Sequence, residues 1–313
     1  MITVRGDSAN ELFAAAVSAV SWHGASTAPR GLETSEVLGA HLCLTQPRRR
    51  LVELAPVRVV NPAFAAAEAI WILSGSDAAW IYDYNDRLRD FADEGVLLGA
   101  YGPRLRRWNG RLDQLERVRD LLCRDPQTRR AVIQLYDPGR DSSEHKDVPC
   151  TLGFRFYLRD GRLQMHTTMR SQDLWLGFCY DLFTFTVIHE LMAHWVGAEL
   201  GDYHHHVDSL HLYAQHQPDA ARIPRTVEAS RTFAPLDAEW NAFDDLLQQT
   251  LLSDPEPPGV WGEFSSTMRS YRLWKSDDRE EARAVARQAG GVLGPAALTW
   301  YHHLAHRGIA AAP

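Results

Sequence analysis

The sequence predicts an α+β fold organised round a large mixed β-sheet, and three observations carry that prediction. Strand-like and helix-like segments neither alternate strictly, as in a doubly wound parallel sheet, nor fall into separate runs. The segment TLGFRFYLRDGRLQMHTTMR (Thr151–Arg170) places Asp160-Gly161, a tight-hairpin dipeptide, between two β-prone runs. Two stretches, Asn61–Gly75 and Leu182–Leu200, are too apolar and too long for strands and read as mostly buried helices.

In chain order, NPAFAAAEAIWILSG (Asn61–Gly75) opens with Asn-Pro as cap and first-turn proline, closes at glycine, and carries one carboxylate, Glu68. RRAVIQLYDP (Arg129–Pro138) reads as a β-branched strand ending at a turn, and the Thr151–Arg170 hairpin follows. LFTFTVIHELMAHWVGAEL (Leu182–Leu200) stops before Gly201, and HHHVDSLHLYAQH (His204–His216) is a further strand or loop with polar residues gathered at its end. The linker-like stretches Asp137–Pro149 and Ser253–Gly259 read as surface loops, and no internal repeat is visible, so one domain is expected over residues 1–313.

With 45% hydrophobic and 23% charged residues the chain is of ordinary globular composition. A net charge of −7 argues against a surface that coats a nucleic acid polymer, although Pro47–Leu51 and Arg104–Arg111 are basic enough to hold single phosphates if not simply solvated. The four cysteines, Cys43, Cys123, Cys150 and Cys179, form no C-x-x-C pair, which argues against a disulfide framework or a cysteine zinc site. No leader-like or bilayer-length apolar stretch is present, so no membrane role and a reducing cytoplasmic setting are expected, where a free thiol persists as a nucleophile. No metal is expected either. His189 and His194 are five apart rather than four, and so point roughly 140° apart round a helix.

Cys150, in DVPCTLGFRF (Asp147–Phe156), lies between a proline and a strand, and a thiolate there requires nearby positive charge. Arg170, at the far end of the following hairpin, can be brought back towards it. Cys179 has no such company and reads as packing.

These residues carry a resemblance to the thymidylate synthase and deoxycytidylate hydroxymethylase family, from about Arg30 to Tyr213. Pro149-Cys150 resembles its nucleophile motif, RSQD (Arg170, Ser171 to Asp173) its phosphate and folate motif, and Leu176-Gly177 its folate-contact turn. HLY (His211–Tyr213) resembles the sugar-binding element, Arg30 in RGLETSEVLG the phosphate-loop arginine, Glu68 in its E-x-x-W-x-L-x-G frame the active-site glutamate, and Tyr101-Gly102 the active-site tyrosine. Arg129 and Arg130 resemble the pair that reaches the partner's bound phosphate, so the resemblance implies a homodimer packed through its sheet. It also implies a pyrimidine nucleoside monophosphate as substrate and 5,10-methylenetetrahydrofolate as cosubstrate. Asp173, Leu176, Gly177, Tyr180 and Phe91 would then line the folate. The C-terminal HRGIAAAP (His306–Pro313) faintly resembles the family's closing tail.

Departures from the synthases shape the expected activity. They keep an asparagine where this chain has Asp181, and a protonated carboxyl there suits the amino group and bare N3 of cytosine. The bland alternative is that Asp181 caps the helix beginning at Leu182. Thr151, Met169, Phe178-Cys179, Leu88 and Phe91 also differ from the synthase pattern and put simple methylation in doubt. The expected enzyme is therefore a cytidylate 5-hydroxymethylase acting on dCMP or CMP. Cys150 would be its nucleophile, Asp181 would read the base, Glu68 would organise water, and Tyr101 and Asp173 would assist. A methylating synthase on dUMP or dCMP is the alternative, and a silent nucleotide- or RNA-binding relative a third reading.

Overall fold

The computed structural model describes residues 1–142, 145–254 and 256–310, with the backbone alone for 307–310. Residues 143 and 144 of the first linker-like stretch, residue 255 of the second and residues 311–313 of the C-terminal tail lie outside the described residues.

The strands are β1 (Ile2–Gly6), β2 (Ala25–Thr27), β3 (Thr34–Leu44), β4 (Val132–Gln134), β5 (Thr151–Arg159), β6 (Arg162–Met169), β7 (Gln172–Asp173) and β8 (Glu199–Tyr213). They form one 8-stranded sheet in the order β1-β3-β8-β6-β5-β4, with β2 beside β3 and β7 beside β8. Pairing is mixed: β1 with β3 and β6 with β8 run parallel, whereas β3–β8, β5–β6 and β4–β5 run antiparallel. This is the expected α+β architecture.

The helices are α1 (Ala9–His23), α2 (Pro62–Leu73), α3 (Tyr101–Arg106), α4 (Gln114–Arg124), α5 (Pro138–Asp141), α6 (Phe178–Trp195), α7 (Gln217–Ala220), α8 (Phe243–Leu252), α9 (Gly259–Lys275), α10 (Arg279–Ala289) and α11 (Leu293–Ala310). Helices α1 and α6 pack on the sheet, and α2 is held between α6 and the C-terminal helices α8, α9 and α11. Half-buried His41, His166, His204 and His206 stack along β3, β6 and β8, with ring centroids as close as 4.2 Å between His166 and His204.

Local chemistry explains each predicted element and each shifted boundary. Asn61 caps α2 by accepting from the amides of Ala63 and Phe64 at 3.1 and 3.3 Å, with Pro62 at the first position. The hairpin turns at Asp160 and Gly161, whose φ values of 50° and 73° fit the left-handed geometry that twist-matched two-residue turns require. The strand expected over Arg129–Pro138 is shorter, because Asp137 caps α5 through the Gly139 amide at 2.9 Å.

Helix α6 begins at Phe178, four residues before the expected Leu182, since Phe178 and Cys179 are already buried. It ends at Trp195 rather than Leu200 because Gly197 (φ 67°) turns the chain and the Glu199 amide pairs with the Gly161 carbonyl at 2.9 Å. The His204–His216 stretch belongs to the long central strand β8, with a 3-10 turn at Ala214–His216.

One irregularity bears on the site. The β5–β6 register slips between Thr151 and Gly153, leaving Leu152 as the extra residue of a bulge. Gly153 admits the close approach this needs, since a Cβ there would lie 2.2 Å from the Ile133 carbonyl oxygen.

Candidate functional site

Cys150 ends the loop that feeds β5, and the hairpin returns Arg170 beside it as the sequence suggests. The Arg170 amide donates to the Cys150 carbonyl at 2.9 Å, while its guanidinium donates to the carbonyls of Pro149 and Val148, both at 2.9 Å. Burial nevertheless pushes the Cys150 thiol up. Asp181 and Asp147 push the same way, and Arg170 and Arg30 only partly oppose them. Arg170 thus lies beside the sulfur as expected, while desolvation by burial outweighs the arginines. Arg30 sits in the turn Pro29–Gly31 with φ 55°, exposed and near enough for its charge to act on the sulfur.

Two acids and a phenol face the same region. Burial raises Glu68 on α2 to about 8, with the negative field of Asp181 adding to it, and Thr184 on α6 donates to its carboxylate at 3.4 Å. Burial likewise raises Asp181 to about 7, opposed by a hydrogen bond from Gln172 and reinforced by Asp173. The Tyr101 hydroxyl, at the start of α3, accepts from the Thr151 amide at 3.3 Å and from Thr151 Oγ1 at 3.0 Å. Burial holds its phenol well above the ordinary range, and the charges of Asp181 and Cys150 add to the shift. Asp181 does not cap α6. Gly177 occupies the cap position, and the Asp181 amide donates to the Gly177 carbonyl at 3.0 Å inside the first turn.

Sequence reasoning missed what stands behind Asp181. Gln172 Nε2 donates to Asp181 Oδ2 at 2.9 Å, and Gln172 Oε1 lies 3.1 Å from His205 Nε2. His205 Nδ1 is 2.8 Å from the Tyr203 hydroxyl, itself 2.9 Å from Thr167 Oγ1. Gln172, His205, Tyr203 and Thr167 are all buried. The only signal in the sequence was the glutamine inside RSQD.

Asp173 Oδ1 accepts from the amides of Trp175 and Leu176 at 2.8 and 3.0 Å, which shapes the turn towards Gly177. Leu176 and Gly177 are half-buried. The Tyr180 hydroxyl accepts from the Asn61 amide at 3.0 Å and thus ties α6 to the cap of α2. Phe91 is 51% exposed at the end of a 3-10 turn, whereas Leu88 is partly buried against the core. Ser171, His211 and Tyr213 are half-buried, with the rings of His211 and Tyr213 edge to face at 5.1 Å. Arg129 and Arg130 are both exposed just before β4.

The other basic clusters prove structural. Arg104 donates bidentately to Asp141 at 2.6 Å, both side chains buried. Arg106 pairs with Asp113 and Asp244 at 2.7 and 2.9 Å, and Arg107 donates to the Gly75 carbonyl at 2.6 Å. Arg48 and Arg50 converge on the buried Glu190. His189 is buried against the Leu163 carbonyl at 2.7 Å, while His194 lies 3.4 Å from Asp237 on another side of α6. The one group among the described residues with metal-ligand spacing is Cys43, Asp202 and His204, where Arg5 pairs with Asp202 at 3.2 Å. No helix among the described residues is long and apolar enough to cross a membrane.

The mixed sheet, the cysteine at the head of β5 and the two acids from α2 and α6 define an α+β domain whose chemistry is gathered at one sheet end. Its family follows from comparison. The chain belongs to the thymidylate synthase family, whose model matches residues 11–246. That family uses methylenetetrahydrofolate as cosubstrate and binds a nucleotide. Among curated proteins, the chain is 39% identical over 227 residues to a deoxyuridylate hydroxymethyltransferase of Bacillus phage SP01, covering 68% of this chain and 59% of that protein. Proteins of the same name from Pseudomonas phage M6 and Delftia phage PhiW-14 are 35% and 31% identical over 163 and 211 residues, covering 50% and 63% of this chain. The chain spans only 59%, 46% and 57% of the length of these relatives.

Proposed function

We propose that the chain is a folate-dependent 5-hydroxymethyltransferase of a pyrimidine nucleoside monophosphate, with cytosine as the base. The relatives named as deoxyuridylate hydroxymethyltransferases support hydroxymethyl transfer. The observation that carries the base is Asp181, a carboxyl raised to about 7 whose Oδ2 accepts from Gln172 Nε2 at 2.9 Å, which leaves the proton to Oδ1. A neutral carboxyl donates to N3 of cytosine and accepts from its amino group.

In this reading Cys150 adds to C6 of the ring, which makes C5 nucleophilic. Its raised thiol makes the dianionic phosphate site important for placement rather than for activation. Arg30 and Arg170 hold the phosphate together with Arg129 and Arg130 of a second copy. The exposure of that pair supports a homodimer with a shared site. Ser171, His211 and Tyr213 bind the phosphate and sugar, and the retained Ser171 favours dCMP over CMP. Bound methylenetetrahydrofolate supplies the one-carbon unit at the methylene level and leaves as tetrahydrofolate. Exposed Phe91 and half-buried Leu176 and Tyr180 offer it an apolar wall, beside Gly177 and Asp173.

Glu68, neutral below about pH 8, holds and passes protons beside C5 and the attacking water. C5 loses its proton, water supplies the hydroxyl oxygen, and the Cys150–C6 bond then breaks. Tyr101 orders the same region through Thr151. A second reading, the same transfer to dUMP, is favoured by the relatives named as deoxyuridylate hydroxymethyltransferases. Incubation with methylenetetrahydrofolate and each of dCMP, CMP, dUMP and UMP separates the cases. A gain of CH2O on a cytidylate is expected, a gain on dUMP alone overturns the base, and a gain of CH2 overturns hydroxymethyl transfer.

A further inference from the structure

A neutral carboxyl does not by itself discriminate between cytosine and uracil. An amide has its donor and acceptor fixed by covalent bonds, but a carboxylic acid exchanges them when its proton moves between oxygens. One arrangement fits the N3 and amino group of cytosine, and the other fits the O4 and N3–H of uracil. Selectivity through Asp181 therefore requires something that decides which oxygen stays bare.

From the buried chain behind Asp181 we infer that Gln172, held by His205 and Tyr203, is a specificity-determining positioning residue that keeps Oδ2 of Asp181 proton-free. This rests on the reading of Asp181 as the acid that faces the base. Gln172 Nε2 donates to Oδ2 at 2.9 Å, so a proton on that atom would oppose the amide N–H and belongs instead on Oδ1. The amide orientation is set by the backbone carbonyl of Asp173, which can only accept and lies 3.4 Å from Gln172 Nε2. The amide oxygen faces His205 Nε2 at 3.1 Å, which must then carry the imidazole proton, leaving Nδ1 to accept from the Tyr203 hydroxyl at 2.8 Å.

The Tyr203 oxygen stays within 2.9 Å of Thr167, whose hydroxyl rotates to suit. Tyr203, His205 and Thr167 are each 0% exposed and Gln172 is 3% exposed, so bulk water does not break into the chain that starts from the Asp173 carbonyl. Burial also holds His205 neutral, lowered to about 3, which keeps its single proton on one nitrogen. Gly177 makes room for the contact, since a Cβ there would lie 2.8 Å from Gln172 Nε2 and 3.7 Å from Asp181 Oδ2. In the cytidylate reading, Oδ2 also accepts from the base amino group while Oδ1–H donates to N3.

The test compares dissociation constants for dCMP and dUMP, with kcat/KM ratios alongside, in the full chain and in Gln172→Met and His205→Phe. Binding is read without any transfer step, so it does not depend on hydroxymethylation. Gln172→Met is expected to move the ratio towards unity by roughly 10- to 100-fold, because a mispaired buried polar contact no longer penalises the wrong base. His205→Phe moves it the same way by less, since the glutamine amide can then rotate. Should Gln172→Met fail to fold, judged by its melting transition, His205→Phe decides alone. Folded variants that keep the parent ratio overturn the inference. A parent chain that prefers dUMP, with variants that lose that preference, overturns the cytidylate reading but sustains the role of Gln172, with Oδ2 then facing N3.

Discussion

Replacing Glu68 by glutamine should make the ligand-free protein less sensitive to alkaline pH. Glu68 rises from an ordinary 4.5 to about 8 because the fold desolvates its carboxylate and sets Asp181 beside it. Between those values the folded chain holds a proton that the unfolded chain has released. Stability therefore falls as pH rises through this window. Each unit of displacement corresponds to about 1.4 kcal/mol, so the full effect has an upper bound on the order of 4–5 kcal/mol. Part of Glu68 reaches solvent, which screens the charge and leaves roughly 2–4 kcal/mol. Urea unfolding from pH 5 to pH 9 measures it directly. The parent chain should lose stability relative to Glu68→Gln by up to about 1.4 kcal/mol per pH unit, levelling off near pH 8. Parallel curves for the two proteins would show that the carboxyl ionises normally and would remove the argument for a protonated Glu68.

Three further outcomes follow from the geometry. Glu190→Gln should cost about 3–5 kcal/mol in urea unfolding, because Arg50 beside it is 1% exposed and would be left buried without its counter-charge. Iodoacetamide at pH 7 should alkylate exposed Cys123 well before Cys150, whose thiol is pushed up by burial, with the order read by peptide mass; first labelling at Cys150 would contradict that shift. Mixing Cys150→Ser chains with Arg129→Ala/Arg130→Ala chains should restore turnover that neither variant shows alone, as a shared site in a homodimer requires, whereas no recovery after subunit exchange would sink that arrangement.

The main elements were legible wherever local chemistry acts alone. The Asn-Pro cap of α2 and the Asp-Gly turn each rest on contacts within a few residues, and both lie where expected. Boundaries set by distant partners were not legible: the far end of α6 is decided by pairing of Glu199 with Gly161, which no pattern inside α6 announces. Within the site, Cys150, Glu68, Tyr101 and Asp181 come from separate elements, and family motifs rather than spacing led to them. The state of the thiol was not legible, since an adjacent arginine can be named from sequence but the depth of burial and the fields of Asp181 and Asp147 cannot. Gln172 joins His205 across a parallel pairing of β7 with β8, a relation visible only once the sheet is assembled.

The bulge at Leu152 separates the facing of the nucleophile from the length of the hairpin that follows it. Residues added in pairs at the Asp160-Gly161 tip would lengthen both arms and leave the sulfur pointing as before. Loss of the single slack residue at Leu152 would leave Thr151 opposite Met169 and Gly153 opposite Thr168, so the two pairings would close into regular alternation with no face turned over. This ribbon thus takes change at its tip in pairs of residues, while its root can give up one amino acid and still present the same faces.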